Sequence, residues 1–408
     1  MAIIPNLPNL RPSLLLDFAN SGRVDPRINF ARAAAASRWN AAGLQEVVAA
    51  GVPRIDHDPA TGRCLGLFVE EARTNLVRRS NELSHADWVQ SALVGIGAPD
   101  AKLMTKLIAT TENRTHELYS ATSSIGFADE TLLTISVEAK ADGANFFWLR
   151  CVNKAGSFPS ATFNLLTGAA SLRGAISASM RSLGGGIYRC SATFNLGAGA
   201  SGSAGRTVLA LASGEGAGAE VFAGDGVSGV WFKNVQTEVG ATPSSYIPTT
   251  SAAATRAAES PYIDVSPDWY NPAGGTLLVE AIAPNSIQSF ARIASLERPG
   301  VNVLSIQRVQ DAASSTARGY FEGASIVAGA TSFPPSVPVK VALAGALGDF
   351  ALSASGSIFT SSLGAFGAPT QLRLGSSIFN SSHLNGHIQR VAYYPRRLTN
   401  AQLQRLTA

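Results

Sequence analysis

Residues 131–141, TLLTISVEAKA, decide the fold class that the sequence predicts. Leucine, isoleucine, valine and alanine at positions 133, 135, 137 and 139 alternate with threonine, serine, glutamate and lysine at the positions between them. A period of two is typical of a β-strand that buries one face. Asp142 and Gly143 follow as a turn, and the apolar run NFFWLRCVN comes next. This order indicates two antiparallel strands.

The same pattern of short apolar segments and turns extends over most of the chain. Glycine occurs 39 times and proline 20 times among the 408 residues. Both interrupt the sequence at the short intervals that many strands joined by turns require. We therefore predict an all-β fold with two antiparallel β-sandwiches of the jelly-roll type. The first covers residues 76–250 and the second residues 263–408, and a serine-, threonine- and alanine-rich linker at 251–262 separates them.

The first 75 residues have a different pattern. Prolines punctuate the start, MAIIPNLPNLRPSLLLDFAN, and the later apolar segments are short and separated by turn signals. A segment of this kind buries little surface alone. We therefore predict an extended N-terminal attachment arm over residues 1–75, which lies against its own domains or against another subunit.

The last residues, LTNAQLQRLTA, predict a short C-terminal helix. Thr399 or Asn400 can cap its first turn, because both side chains accept hydrogen bonds from free backbone N–H groups. Leu403 and Leu406 are three positions apart and fall on one face.

Composition and charge exclude several classes of protein. Hydrophobic residues make up 46% and charged residues 15% of the chain, so most of it is expected to fold. The net charge is +4 without a cluster of lysine and arginine, which argues against a nucleic-acid partner. Cys64, Cys151 and Cys190 lack the close spacing of a disulfide framework or a zinc site. Neither a signal peptide nor a membrane-inserted segment is predicted.

No catalytic, cofactor-binding or metal-binding group of residues is predicted. Glycoside hydrolysis needs two carboxylates at a fixed separation, whereas Glu70 and Glu71 are adjacent and would point to opposite faces of a strand. His383 and His387 have the spacing of a helical zinc site, but a glycine interrupts it. Scattered aspartates are the calcium candidates: Asp264, Asp268, Asp311 and Asp349. We therefore predict that the protein is not an enzyme and uses no cofactor.

Aromatic residues are the candidates for sugar contacts. Trp148 and Trp231 lie in apolar segments and are predicted to be core residues. Trp269 and Tyr270 lie between turn residues, where they could form an exposed platform, an interdomain wedge or an oligomer contact. The other aromatic candidates are Tyr188, Tyr320 and Tyr394.

Several long motifs resemble a family of tailed-bacteriophage virion and tail proteins. They are FARAAAASRWNAAGL (30–44), GVPRIDHDPATG (51–62), LGLFVEEARTNLVRRSNELSHADW (65–88) and VQTEVGATPSSYIPTTSAAATRAAE (235–259). The resemblance covers roughly residues 25–90 and 225–259, and it implies sandwiches similar to carbohydrate-binding modules. The C-terminal stretch resembles laminin-G and concanavalin-type jelly rolls in these residues: Gly386, Ile388, Val391, Tyr394, Leu398, Thr399 and Leu403.

The resemblance implies a structural component of a tailed phage particle, assembled in the host bacterial cytoplasm and located on the virion. We expect a lectin-like surface appendage, such as a fibre, tail-tip or head protein, with host surface glycans as candidate ligands. Other virion proteins are the predicted partners of the arm, and a homotrimer is the predicted oligomer because multivalency strengthens weak binding. One alternative is an architectural head-decoration or tail subunit without a ligand. The other is a glycan depolymerase.

Overall fold

The computed structural model describes residues 10–90, 94–100, 102–121, 126–284, 290–310, 314–322, 324–329 and 332–408. The first elements of the chain are β1 (Leu14–Asp17), α1 (Phe18–Ser21), β2 (Ala36–Trp39), β3 (Gln45–Val48), β4 (Arg54–His57) and β5 (Cys64–Val69). The middle of the chain contains β6 (Arg73–Asn75), β7 (Trp88–Gln90), β8 (Val94–Ile96), β9 (Thr105–Ala109), β10 (Arg114–Thr115), β11 (Glu117–Ser120), β12 (Leu132–Asp142), β13 (Phe146–Cys151), β14 (Ser160–Asn164), β15 (Ala169–Arg173), β16 (Ser177–Gly184), β17 (Ile187–Asn195), β18 (Thr207–Ala212), β19 (Val221–Phe222), β20 (Gly229–Val239) and β21 (Ala254–Arg256). The last part contains β22 (Tyr262–Asp264), β23 (Gly274–Ile282), β24 (Phe290–Arg298), β25 (Val301–Gln310), β26 (Ser315–Phe321), β27 (Ala324–Val327), β28 (Val339–Ala346), β29 (Asp349–Ala354), β30 (Ser357–Ser361), β31 (Gln371–Leu374), β32 (Gly386–Tyr394) and α2 (Asn400–Thr407).

The chain divides into two compact units that are interleaved in sequence. Unit 1 contains residues 1–58, 62–72 and 257–408, and unit 2 contains residues 59–61 and 73–256. The predicted order of arm, sandwich, linker and sandwich is therefore corrected. Residues 1–75 are not a separate arm, because most of them belong to the same compact unit as the C-terminal sandwich. The predicted start of that arm, residues 1–9, lies outside the described residues.

Unit 1 is a sandwich of an eight-stranded and a six-stranded antiparallel sheet. The larger sheet has the order β30-β29-β28-β23-β32-β5-β4, and β1 also pairs with β32. The smaller sheet has the order β22-β31-β24-β25-β26-β27. One edge of β32 therefore hydrogen-bonds to two N-terminal strands, since Leu14 pairs with Tyr393 and Ile388 pairs with Leu67. Without these strands, that edge would expose its backbone N–H and C=O groups.

The C-terminal helix forms as predicted. Thr399 is its N-cap, and Thr399 and Gln402 form a reciprocal capping box. Leu403 and Leu406 are buried in a cluster with alanines from β28 and β29. No helix among the described residues is long and apolar enough to cross a membrane.

Unit 2 is a second antiparallel sandwich. Its two six-stranded sheets have the orders β15-β14-β13-β18-β11-β7 and β16-β17-β12-β20-β9-β8. Side chains from both sheets form one core, which includes Phe147, Phe163 and Phe232. Cys151 and Cys190 are free thiols within this core. Free cysteines often pack in this way, as small buried apolar residues. The all-β class and the two antiparallel sandwiches are therefore confirmed.

Strand β12 differs from its prediction, because both of its faces are buried. Thr134, Ser136 and Glu138 on the polar face are inaccessible to solvent. Arg189 Nη2 donates to Ser136 Oγ (2.7 Å), and Asn234 Nδ2 donates to Glu138 Oε1 (2.8 Å). Polar groups can be buried at little cost when such partners are present. For this reason the polar face of β12 is buried, although the alternation of polar and apolar residues predicted that it faces solvent.

Candidate functional site

The N-terminal motifs bring four charged residues together in unit 1. Arg54 Nε and Nη2 donate to both carboxylate oxygens of Glu259, at 2.8 and 2.6 Å. Arg54 Nη2 also donates to Glu70 (2.8 Å), and Arg32 Nη1 donates to Glu259 (2.8 Å). All four side chains are buried. Burial alone would lower the pKa of Arg54, but the carboxylates of Glu259 and Glu70 raise it above its ordinary value.

This ion network corrects the prediction of a linker at residues 251–262. Residues 254–256 form β21, which pairs with β6. Glu259 is completely buried, and its backbone N–H donates to the carbonyl oxygen of Glu70. The segment is therefore packed and hydrogen-bonded. Glu70 is salt-bridged to Arg54.

The two histidines with zinc-like spacing have separate partners. His387 Nε2 lies 2.8 Å from Asp56 Oδ2, and its ring stacks on Phe68 with a centroid distance of 4.4 Å. His383 Nε2 instead lies 3.1 Å from Asn380 Oδ1. No group of three or more histidine, cysteine, aspartate or glutamate side chains in the described part of the chain could hold a metal ion. Of the calcium candidates, Asp311 lies outside the described residues.

Within the motif that ends the first predicted sandwich, Tyr246 and Ile247 are buried in unit 2. Tyr246 Oη lies 2.6 Å from Ser80 Oγ, and Ile247 N donates to Gln236 Oε1 (2.7 Å). Burial raises the pKa of Tyr246 to about 12. These residues are donors, acceptors and core groups of the sandwich, so the motif has a structural role in this unit.

A separate cleft lies on the outer face of the sheet that contains β13. It is a shallow, open cleft with a volume of about 430 Å³. Trp148 and Arg150 come from β13, and Arg173 comes from β15. The remaining lining residues are Phe158, Ser160, Leu172 and Glu220.

Two guanidinium groups lie against the indole ring of Trp148. The Arg173 guanidinium carbon is 4.4 Å from the centroid of the indole ring, and that of Arg150 is 4.9 Å from it. Cations over an indole face are attracted by its quadrupole. The indole is 1% exposed, so the arginines form the accessible surface above it.

The two arginines differ in their ionic partners. Arg150 forms salt bridges with Glu117 and with Glu220, the latter at 3.2 Å. Arg173 Nη1 donates only to the backbone carbonyl of Glu215 (3.2 Å). Within the described ranges, Arg173 has no carboxylate at ion-pair distance. The cleft therefore contains one neutralised cation and one cation without a counter-ion from the described chain.

Several buried polar atoms around the cleft have no hydrogen-bond partner among the described residues. They are Trp148 Nε1, Thr162 Oγ1, Arg150 Nε and Glu220 Oε2. Thr162 is the register neighbour of Trp148 on β14. Buried polar groups are normally satisfied, and each exception has an energetic cost. The cleft is the candidate site because Arg173 lines it without a counter-ion from the described residues.

The aromatic predictions have mixed outcomes. Trp148 is buried as predicted, although it lies on the outer face of its sheet, outside the main core of unit 2. Trp231 is only half-buried, and its Nε1 donates to Asp142 (2.9 Å), so its assignment to the core is wrong. Trp269 and Tyr270 are core residues of unit 1, which excludes an exposed platform. Tyr394 is buried, and Tyr188 and Tyr320 are half-buried.

No sequence pattern predicted the charged residues in and beside the cleft. Glu117, Arg150, Arg173 and Glu220 are distributed over about 100 positions and form no local motif. One signal was available, because Trp148 and Arg150 are two positions apart and therefore share a strand face. Their partners came from other strands and a loop, which only the fold brings together.

Comparisons with known proteins identify similar folds only. No family model and no curated protein matches the chain. Among solved structures, a sialidase from Trypanosoma rangeli in complex with sialic acid has a TM-score of 0.31 and 10% identity over 77% of this chain. The chain spans 62% of that sialidase. The tandem CBM22 domains of Paenibacillus barcinonensis Xyn10C have a TM-score of 0.25 and 11% identity, covering 80% of this chain and 99% of theirs.

Laminin domains are a third similarity. Domains LG4-5 of the mouse laminin α1 chain have a TM-score of 0.21 and 8% identity, covering 76% of this chain and 88% of theirs. The sialidase corrects one prediction: the chain was predicted not to be an enzyme, whereas its structural neighbours include one. We withdraw that prediction. At these TM-scores, none of the similarities assigns a residue role to this chain.

Proposed function

We propose that this protein is a structural component of a tailed phage particle that contacts host surface glycans through the cleft of unit 2. The cleft carries the glycan part of the proposal, and the motifs in residues 25–90 and 225–259 support the phage part. Those motifs occupy buried positions, such as Arg54 and Tyr246. The resemblance of these motifs to virion proteins therefore concerns residues that stabilise the fold.

The groups in the cleft suit a sugar. Phe158 is 55% exposed, which leaves an aromatic face for the apolar side of a pyranose ring. Arg173, which also lines the cleft, supplies charged N–H donors for the oxygen atoms of a sugar.

Attachment to the particle is proposed to use the hairpin β2–β3 of unit 1. Leu44 is 62% exposed and Val47 is 58% exposed on this hairpin. Exposed apolar side chains are candidates for contacts with other proteins. Other virion proteins and further copies of the chain, arranged as a trimer, are the proposed partners. The architectural alternative keeps these contacts and lacks glycan binding.

The test compares two exposed phenylalanines in the full-length chain. Phe158→Ala removes the aromatic face of the cleft, and Phe379→Ala removes an exposed phenylalanine from unit 1 (72% exposed). We expect binding to intact host cells to fall about tenfold for the first variant and to stay unchanged for the second. Equal binding by both variants would overturn the glycan role of the cleft.

The phage assignment needs its own measurement. Mass spectrometry of purified particles from the phage whose genome encodes this chain should detect the protein as a stoichiometric component. Its absence from those particles would contradict the assignment, whatever the result of the cell-binding assay.

A further inference from the structure

Arg173 is a cation of the cleft with most of its donors unused. Its guanidinium group has five N–H bonds that can donate. One of them, on Nη1, donates to the backbone carbonyl of Glu215. The described residues offer its other donors no acceptor. Its guanidinium carbon lies 4.4 Å from the centroid of the Trp148 ring, and this contact restricts the motion of the group. A guanidinium that is already oriented loses less rotational freedom when it binds a planar partner.

Arg150 provides an internal comparison within the same cleft. It also stacks on Trp148, but Glu117 and Glu220 neutralise its charge from two sides. The chain thus supplies two carboxylates to one arginine and none to its neighbour. The difference points to Arg173 as the group whose anion comes from outside the described chain.

The charge of Glu220 limits which anion can fit. Glu220 lines the same cleft and keeps one carboxylate oxygen, Oε2, without a donor among the described residues. A phosphate or another multiply charged anion would be repelled by this carboxylate more strongly than a single carboxylate would. A carboxylate also matches the bidentate geometry of guanidinium.

We infer that the cleft of unit 2 selects a uronic-acid type of sugar, with its carboxylate bound to Arg173. This inference rests on the proposed glycan-binding function and specifies its ligand class. A uronic acid carries a carboxylate in place of the neutral hydroxymethyl group of the corresponding hexose. Each acidic sugar therefore has a neutral hexose as its matched control.

The experiment measures binding of the full-length protein to oligomers of galacturonate, glucuronate, mannuronate and guluronate. Each is paired with its carboxyl-reduced counterpart, and a sulfated neutral oligosaccharide is added as a second anion. The variants are Arg173→Gln, which removes the charge, and Arg181→Gln, a matched change at an exposed arginine on β16 in the other sheet. Thermal unfolding and far-UV circular dichroism confirm that both variants are folded.

We expect at least one uronate oligomer to bind. Carboxyl reduction and Arg173→Gln should each weaken that binding roughly tenfold or more, as for the loss of a charge-assisted bidentate contact. Arg181→Gln should leave the binding within about twofold of the unmodified protein. Equal binding of acidic and reduced oligomers, preference for the sulfated ligand, or unchanged binding by Arg173→Gln would overturn the inference.

The two proposals fail in different ways. Binding to host cells that depends on Phe158, together with no preference for any uronate, would overturn acid selectivity and leave the glycan role in place. Absence of binding both to cells and to every oligosaccharide would overturn both proposals, and would favour the architectural alternative.

Discussion

Arg54 and Glu259 are 205 positions apart in the chain, and their side chains form a buried two-point ion pair in unit 1. Arg54 lies on β4, near the N-terminus, whereas Glu259 follows the segment that returns from unit 2. The pair therefore joins two stretches of unit 1 that the 184 residues from 73 to 256 separate in sequence.

Glu259→Gln should destabilise unit 1 by about 3 kcal/mol or more, because Arg54 and Arg32 would remain buried with too little negative charge. Chemical denaturation followed by hydrogen exchange would measure the loss and assign it to unit 1. Asp25→Asn is the control, since its pair with Arg27 is partly exposed and such pairs contribute less than about 1 kcal/mol. A similar effect of both changes would contradict a special role of the network.

Removal of residues 1–75 should unfold unit 1, because three of the lost strands, β1, β4 and β5, belong to its larger sheet. Replacement of residues 73–256 by a short glycine linker should instead leave unit 1 folded. Arg73 and Arg256 are register partners, so the two chain ends are about 5 Å apart, the spacing of neighbouring strands. Circular dichroism and limited proteolysis distinguish the outcomes. A folded protein after the first deletion would show that the N-terminal strands are dispensable.

Tyr246→Phe should destabilise unit 2 by about 1 kcal/mol at neutral pH, through loss of the hydrogen bond with Ser80. Burial raises the pKa of Tyr246 to about 12 from 10.0. The stability that depends on its neutral form is therefore complete below pH 10 and is lost as the pH rises towards 12. The advantage of tyrosine over phenylalanine should shrink across this window. Denaturation at several pH values measures it, with Tyr188→Phe as the control.

Cys64 should react first with a small thiol reagent in the native protein, because it is half-buried whereas Cys151 and Cys190 are buried. Burial raises the pKa of Cys151 to about 12 and that of Cys190 well above its ordinary value, so their thiolates are scarce near pH 8. Mass spectrometry should detect one rapid modification under native conditions and three in denaturant. Rapid native labelling of Cys151 would indicate that the core of unit 2 opens readily.

The local features of the fold could be predicted well. Helix α2 depends on the cap at Thr399 and on Leu403 and Leu406 within the same two turns, so neighbouring residues contain the required information. Strand β12 also depends on a short stretch, but the antiparallel pair predicted across Asp142 and Gly143 is wrong, because β12 pairs with β17 and β20 whereas β13 pairs with β14 and β18 in the other sheet. By contrast, a buried polar face such as that of Glu138 depends on Arg189 and Asn234 from other strands, and local alternation does not contain those partners.

The candidate site was harder to predict for a related reason. Arg173 is chemically unremarkable within β15, and it becomes a candidate ligand group only because Trp148 lies under it and both nearby carboxylates pair with Arg150. Trp269 and Tyr270 show the opposite case. They are between turn residues in sequence, yet the packing of unit 1 buries them.

The amino-acid sequence by itself determined the all-β class, many of the turns and the C-terminal helix, because these depend on periodicity, glycine and proline positions, and capping between near neighbours. Only the tertiary structure decided that the N-terminal strands complete the sheet of unit 1, and that Arg54 meets Glu259. Strand edges present the same backbone donors and acceptors whatever their sequence. Which strands pair therefore depends on the apolar surface buried in the whole folded unit. The sequence of a single segment does not contain this information.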